Sequence, residues 1–425
     1  MAAVEQFAIA VVGGATAGAE AARIFSESEI LTVVFDQNPR PYGKIEDGLP
    51  RWHVGLRRKE YETIDGKLLR EHVHFVPCTK LGRDLELEEL TREWGFHAVV
   101  LANGAWRDRP VGVEGADAFV GKGFVYQNPF IYWFNHYTEA EYKGEQFEIQ
   151  DGTIVLGGGL ASIDVAKVVQ LELTLRALRG RGIEEDLVEM EVRGIPATLK
   201  NHGLSWDDLG LRGTTIYYRR QIENMPLVNE PEQATEEVRT KIAKARRRVL
   251  EKAMSKYLFR LEPLHLTAGL LVEGDRLVGL RFVRTRVVDG KAVPTDQTVE
   301  VRTPMVISSI GSVPERLPGI AMRGELYDFV DWDLGRLEAY PNLFSAGNVV
   351  TGQGNIVASR KHARHVASEV VEGYVRLADQ VKRLPPIPPE QRDKILNRVR
   401  ELQTRVGYDG DYRGWIQKVT PPDLV

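Results

Sequence analysis

The sequence predicts an α/β protein of two three-layer units, with the second unit inserted into the first. Three observations carry that expectation. Residues 7–36 read as an apolar strand, a Gly-rich turn, a helix and a second apolar strand that ends in Asp36. Residues 152–168 repeat the opening, with the strand TIVL, the turn GGGLAS and the start of a helix. A third Gly-rich stretch, LFSAGNVVTGQGNI at 343–356, again follows a strand and leads into a long helix from about Val357. Short apolar strands alternating with helical patterns imply parallel strands joined by helical crossovers.

In the first repeat, Gly13, Ala15 and Gly18 hold the three small positions of a dinucleotide fingerprint, with Gly14 and Ala17 between them. Small residues there permit a tight turn, a close backbone approach to a pyrophosphate, and close helix–strand packing. The helix start then offers free N–H groups and positive potential to that anion. Asp36 lies 18 residues beyond Gly18, where a carboxylate accepts hydrogen bonds from a ribose diol. The expected units are therefore Rossmann-like.

The second repeat has Gly157 and Gly159 after its strand, then Leu160 and Ala161, with Ser162 as the third small residue. Its next strand, TTIYYRR, ends not in an acid but in Arg219 and Arg220. Guanidinium groups there match a ribose 2′-phosphate, which favours NADP over NAD. About 60 residues separate Gly157 from Arg219, so residues 175–212 read as an insertion. Residues 262–310 alternate with period two, with turns at Glu273-Gly274-Asp275 and Asp289-Gly290. In the third stretch, Gly347, Asn348, Gly354, Asn355 and Ile356 would bring backbone N–H groups to a bound ring system.

The expected boundaries are 1–115 for the first part of the outer unit, 116–324 for the inserted unit and 325–383 for the return. A Pro-linked helix and aromatic tail follow at 384–425. The chain of 425 residues is long enough for several cores. A net charge of −4 gives no overall bias toward nucleic acid or membrane. No apolar run approaches the roughly 20 residues that span a bilayer. The first apolar run lacks a basic leader and breaks at Gly13-Gly14, so a cytoplasmic location is expected. One cysteine, Cys78, excludes an internal disulfide, a CxxC pair and a four-Cys cluster. The pairs His72/His74 and His362/His365 have no third ligand nearby in sequence, and no metal site is expected.

The sequence resembles the adrenodoxin-reductase type of ferredoxin–NADP reductase over roughly residues 7–380. The resemblance is carried by VVGGATAG, PYGKIEDGLPRWH, LGRDL, HAVVLANGA, Trp133-Phe134-Asn135, GGGLASIDVA, YYRR, VISSIG and the AGN…TGQGNI stretch. The related glutamate-synthase small subunit shares both fingerprints. The resemblance implies FAD on the outer unit, with Gly43 and Gly104 among its contacts, and NADP(H) on the inserted one. It also places His53 beside the flavin, where an imidazole would exchange a proton at N5 in a supporting role.

Residues 235–257, TEEVRTKIAKARRRVLEKAMSKY, read as an amphipathic helix. Val238, Ile242, Ala245, Val249 and Ala253 are expected to pack inward. Lys241, Lys244, Arg247, Arg248 and Lys252 form an adjacent basic face. The resemblance makes that face the dock for an acidic electron carrier, a ferredoxin or flavodoxin. The leading expectation is thus an FAD-dependent oxidoreductase moving electrons between NADP(H) and a one-electron carrier. Two alternatives stay open: an NAD(P)H-oxidising subunit of a larger iron–sulfur complex, and a flavin-binding protein without turnover.

Overall fold

The structure is a computed structural model that describes residues 6–231, 233–352, 354–376 and 384–421. It divides into two compact units, Met1–Arg107 with Ser312–Val425, and Asp108–Gly311. The crossings fall at 107/108 and 311/312, where the sequence placed them at 115/116 and 324/325.

The outer unit is built on a five-stranded parallel sheet, in the order Leu343–Ser345, Ala98–Leu101, Ala8–Val12, Leu31–Phe35, Val73–Val76. Its registers run Ala8↔Leu31 to Val12↔Phe35 and Ile9↔Ala98 to Val12↔Leu101. Alternate residues serve opposite faces. Ala8, Ala10, Val12, Val33 and Phe35 feed one core, while Ile9, Val11, Val34 and Val100 feed the other. Both faces are covered, which is why these strands read as continuous apolar runs.

The C-terminal tail is integral to this unit. Ile395 and Val399 on the helix Pro389–Arg405 enter one core, and Tyr408, Tyr412 and Trp415 enter the other. Gln403 Nε2 donates to the carbonyl of Phe75, and Trp415 Nε1 to that of Pro39.

The inserted unit repeats the same plan. Its parallel strands run in the order Phe124–Tyr126, Val306–Ser308, Ile154–Leu156, Thr215–Tyr218, Arg260–Pro263. The helix Leu160–Arg179 buries Val165, Ala166, Val168 and Val169. Two short helices, Leu187–Arg193 and Ile195–Asn201, account for the extra residues before the next strand. A three-stranded antiparallel sheet, His265–Glu273, Arg276–Val288 and Lys291–Arg302, turns at the two sites read from the sequence. Gly274, Asp289 and Gly290 all have positive φ, as tight hairpin turns demand. Leu277, Leu280 and Phe282 pack this sheet onto Phe124, Ile154 and Val306.

The helix Glu236–Tyr257 begins at Thr235, whose hydroxyl accepts the Val238 N–H. Its buried face differs from the expected one. Ile242, Leu250 and Tyr257 are buried, whereas Val238 and Val249 are more than a third exposed. The cause is Arg246, which sits on the inward face and donates to the carbonyls of Glu223 and Val228. A long side chain lays its stem on the domain while its head finds fixed acceptors. No helix among the described residues is long and apolar enough to cross a membrane.

Candidate functional site

The first cleft opens at the carboxyl ends of the outer sheet. Its walls include Gly13, Ala15, Asp36, Gly43, Lys80, Asn103, Trp106 and Glu315. It encloses about 520 Å³ of empty space, counted out to its open mouth. Two fingerprint glycines are required by close approach. A Cβ on Gly18 would stand 1.7 Å from the Gly13 carbonyl oxygen, and one on Gly13 2.6 Å from that of Ala102. These are backbone atoms that cannot give way, so the helix Thr16–Glu27 lies directly on the turn. Its free N–H end therefore faces the cleft.

Asp36 is buried, and burial pushes its carboxyl up to about 6. Its oxygens accept the backbone N–H groups of Gly14 at 2.7 Å and Asn38 at 2.9 Å. Each carboxylate oxygen has a second lone pair, so hydroxyl donors from a ligand remain acceptable. Asn103, absent from the sequence reading, adds an independent sign of a ligand. Its amide nitrogen faces Tyr327 Oη at 3.4 Å, while its buried Oδ1 has no hydrogen-bond partner. A buried acceptor left unmade costs about 1–3 kcal/mol unless a bound group satisfies it. The cleft thus asks for a ligand with hydroxyl and amino donors and an anionic middle, and an adenine dinucleotide fits that description.

Gly43 lines the cleft, and Ala15 lies 2.9 Å from where its Cβ would be. Gly104 has φ +68° in the turn after the strand Ala98–Leu101. The third Gly-rich stretch reaches the same helix. A Cβ on Gly347 would meet the Cβ of Ala17 at 2.6 Å. Gly347 donates its N–H to His362 Nδ1, and His362 Nε2 bonds the Asp333 carbonyl. Burial holds His362 below its ordinary pKa, so a neutral ring serves as a strut. Asn348 Oδ1 accepts the Gly354 N–H, and Asn355 caps the helix Ile356–Glu369 through the Ala358 N–H. His53 sits at the start of the helix Val54–Leu68, partly exposed, with its N–H on the Pro50 carbonyl. Cys78 follows the strand Val73–Val76 with φ +54°, and burial raises its thiol pKa.

Glu20, another residue the sequence did not single out, locks this arrangement. It is 1% exposed on the fingerprint helix. Burial alone would raise its pKa, but bonds from Arg23, Lys67 and Arg364 hold it down at about 2. Lys67 and Arg364 lie on the two neighbouring helices, so one carboxylate ties three helices together.

The second cleft forms at the carboxyl ends of the inner strands. Leu156 pairs with Tyr217, and Gly157 donates to the Tyr217 carbonyl, so the fingerprint and Arg219 share one edge. Gly157 has its Cβ position 2.3 Å from the Ser309 carbonyl. A Cβ on Gly159 would meet only Pro226, at 4.0 Å, and Leu160 and Ala161 open the helix with their side chains exposed.

Gly158 was not among the predicted contacts, yet it matters sterically. A Cβ there would lie 2.2 Å from the Tyr218 ring. Tyr218 Oη accepts the Arg220 Nε–H at 2.9 Å and donates to the Asn224 carbonyl at 2.8 Å. Arg220 also donates to the Gly290 carbonyl at 3.1 Å. A cleft of about 590 Å³ is lined by Arg219, Arg220, Leu266, Gly290, Lys291 and Ala292.

On the helix Glu236–Tyr257, Lys241, Lys244, Arg247, Arg248 and Lys252 are all exposed. Lys241 pairs with Glu237 at 2.6 Å, and Arg247 pairs with Glu223.

No family model matches the chain. It is 24% identical over 396 residues to the mitochondrial NADPH:adrenodoxin oxidoreductase of Salvelinus fontinalis, covering 83% of this chain and 74% of that protein. The chain resembles adrenodoxin-reductase-type oxidoreductases. It is also 24% identical over 386 residues to the glutamate synthase [NADPH] small chain of Escherichia coli, covering 85% of this chain and 68% of the relative. Other relatives match over only 32% and 31% of their length. Among solved structures, FprA of Mycobacterium tuberculosis in complex with NADPH superposes with a TM-score of 0.72 at 17% identity, covering 94% of this chain and 91% of that one. That likeness concerns the fold, two dinucleotide-binding units of mixed α/β build.

Proposed function

We propose that the chain is an FAD-dependent oxidoreductase that moves electrons between NADP(H) and a one-electron iron–sulfur carrier. The observation that carries this reading is a contrast. Four parallel strands in the same relative order occur in both units, and the strand beside each fingerprint ends in Asp36 in one unit and in Arg219-Arg220 in the other. The carboxylate suits the ribose diol of FAD, and the arginines suit the 2′-phosphate of NADP(H).

Bound FAD would supply the chemistry, accepting a hydride from nicotinamide and releasing electrons one at a time. The chain's own residues bind and orient. Gly13, Gly14, Ala15, Ala17 and Gly18 present the turn and helix end to the pyrophosphate. Asp36 and Asn103 accept from the adenosine side. Gly43 and Gly104 keep the cleft open. Gly347, Asn348, Gly354, Asn355 and Ile356 present the last helix start to the ring system. Gly157, Gly159, Leu160 and Ala161 present the second helix start to the NADP(H) pyrophosphate. His53 supports the reaction by exchanging a proton at flavin N5, because hydride transfer itself needs no protein acid or base. Lys241, Lys244, Arg247, Arg248 and Lys252 steer the acidic carrier, a ferredoxin or flavodoxin, on a chain that is acidic overall.

The test is steady-state reduction of several purified ferredoxins and flavodoxins with NADPH against NADH. The reading expects at least one carrier to be reduced, with NADPH preferred. Absence of turnover with every carrier under both nicotinamides would refute it. The likeness to a glutamate synthase small chain supports a second reading, an NAD(P)H-oxidising subunit of a larger iron–sulfur complex. A pulldown that recovers a stoichiometric iron–sulfur subunit would select that reading.

A further inference from the structure

The second cleft holds more positive charge than the two arginines read from the sequence. Arg219, Arg220 and Lys291 all line it, and no carboxylate does. Among the described residues neither Arg219 nor Lys291 has an ion pair. Many other basic side chains of this unit do have one, including Lys167 with Glu191, Arg246 with Glu230, Arg281 with Glu300 and Arg302 with Glu273. Three cations converging without a counter-ion repel one another, and an anion in the cleft relieves that repulsion.

Lys291 comes from far along the chain. It opens the strand Lys291–Arg302, directly after the tight turn Asp289-Gly290. The turn is tied to the strand end by its backbone, because the Gly290 carbonyl accepts from Arg220. Arg220 is therefore held from two sides, by Tyr218 Oη and by the hairpin turn. Arg219 and Lys291 stay exposed and free to reach a ligand.

We propose that this hairpin turn is part of the nicotinamide-specificity site. In it Lys291 is a third cation for the 2′-phosphate of NADP(H), and the Gly290 carbonyl is the strut that aims Arg220. The inference rests on the NADP(H) reading of this cleft and adds a specificity residue to it. The Asp289-Gly290 turn fixes where the ammonium stands, while the flexible lysine stem adapts to the phosphate.

The experiment is calorimetric binding of 2′,5′-ADP and of 5′-AMP to the full chain, in the wild type, Lys291→Ala, Lys291→Arg, and Arg219→Ala with Arg220→Ala. These probes differ only in the 2′-phosphate and need no turnover. Lys291→Ala is expected to weaken 2′,5′-ADP by roughly tenfold, the range of one charge-assisted contact. It leaves 5′-AMP binding as it was and lowers the salt dependence of 2′,5′-ADP binding. Lys291→Arg retains most of the affinity. If Lys291→Ala binds 2′,5′-ADP as the wild type does while Arg219→Ala with Arg220→Ala loses it, the inference is overturned and the cofactor reading stands. A wild type that binds both probes alike overturns both.

Discussion

Gly158→Ala tests the link between the second fingerprint and its arginines. The new Cβ would lie 2.2 Å from the Tyr218 ring, whereas ordinary contact begins at about 3.4 Å. The ring must retreat by about 1.2 Å. It is buried, so that movement is resisted by its neighbours. Overpacking of this kind costs about 1–3 kcal/mol. The hydroxyl moves with the ring, and its bonds of 2.9 Å to Arg220 and 2.8 Å to Asn224 stretch beyond hydrogen-bonding range. Each lost bond costs about 0.5–1.5 kcal/mol. Arg220 is then held only by Gly290, and its guanidinium loses its fixed aim. The expected result is a fall of several degrees in the melting temperature of this unit and a rise in KM for NADPH of roughly 5–30-fold, with a smaller change for NADH. The assay is ferricyanide reduction with each nicotinamide, beside a thermal melt. Unchanged melting and an unchanged NADPH KM would refute the coupling through Tyr218.

Three further outcomes follow from the geometry. Asp36 has its carboxyl raised to about 6 by burial, so the unliganded fold loses that contribution as pH rises through about 6, and ribose donors favour the ionised form. Affinity of the apoprotein for FAD, followed by flavin fluorescence quenching, should therefore fall as pH drops below 6, and Asp36→Asn should abolish that dependence. Glu20 is held at about 2, so its contribution is fully present above about pH 4.5 and is lost as pH falls through 2. Glu20→Gln should lower stability near neutrality by about 2–4 kcal/mol in urea unfolding, because Lys67 and Arg364 lose a common buried partner. Wild-type stability at pH 7 would contradict this. Lys241→Glu with Arg248→Glu should raise the Michaelis constant for ferredoxin while sparing NADPH-to-ferricyanide activity. Unchanged ferredoxin kinetics at low salt would remove the basic helix from the docking surface.

Much of the fold was legible because local chemistry dictates it. Fingerprint turns need small residues whatever the tertiary context, and Gly13 and Gly18 meet backbone carbonyls as that logic requires. The hairpin turns at Gly274 and Asp289-Gly290 announce themselves by residue type. Other features depend on packing between distant segments. The inward face of the helix Glu236–Tyr257 follows Arg246, because two backbone carbonyls from the preceding loop receive its guanidinium. A hydrophobic count cannot register that. The tail beyond the prolines reads as an appendage, yet Tyr412 Oη reaches Asp65 at 2.7 Å and Trp415 reaches the Pro39 carbonyl, which fixes it to the outer core. Glu20 looks like an ordinary surface acid on an Ala-rich helix until Lys67 and Arg364 surround it. Lys291 and Asn103 join their clefts only through strand pairing and turn placement.

The most direct test of the central claim is an anaerobic titration of the FAD-loaded protein with NADPH and, separately, with NADH. The account predicts that the yellow oxidised-flavin band bleaches with NADPH at about one equivalent, and far more slowly with NADH. A band that persists under excess of both nicotinamides would contradict it.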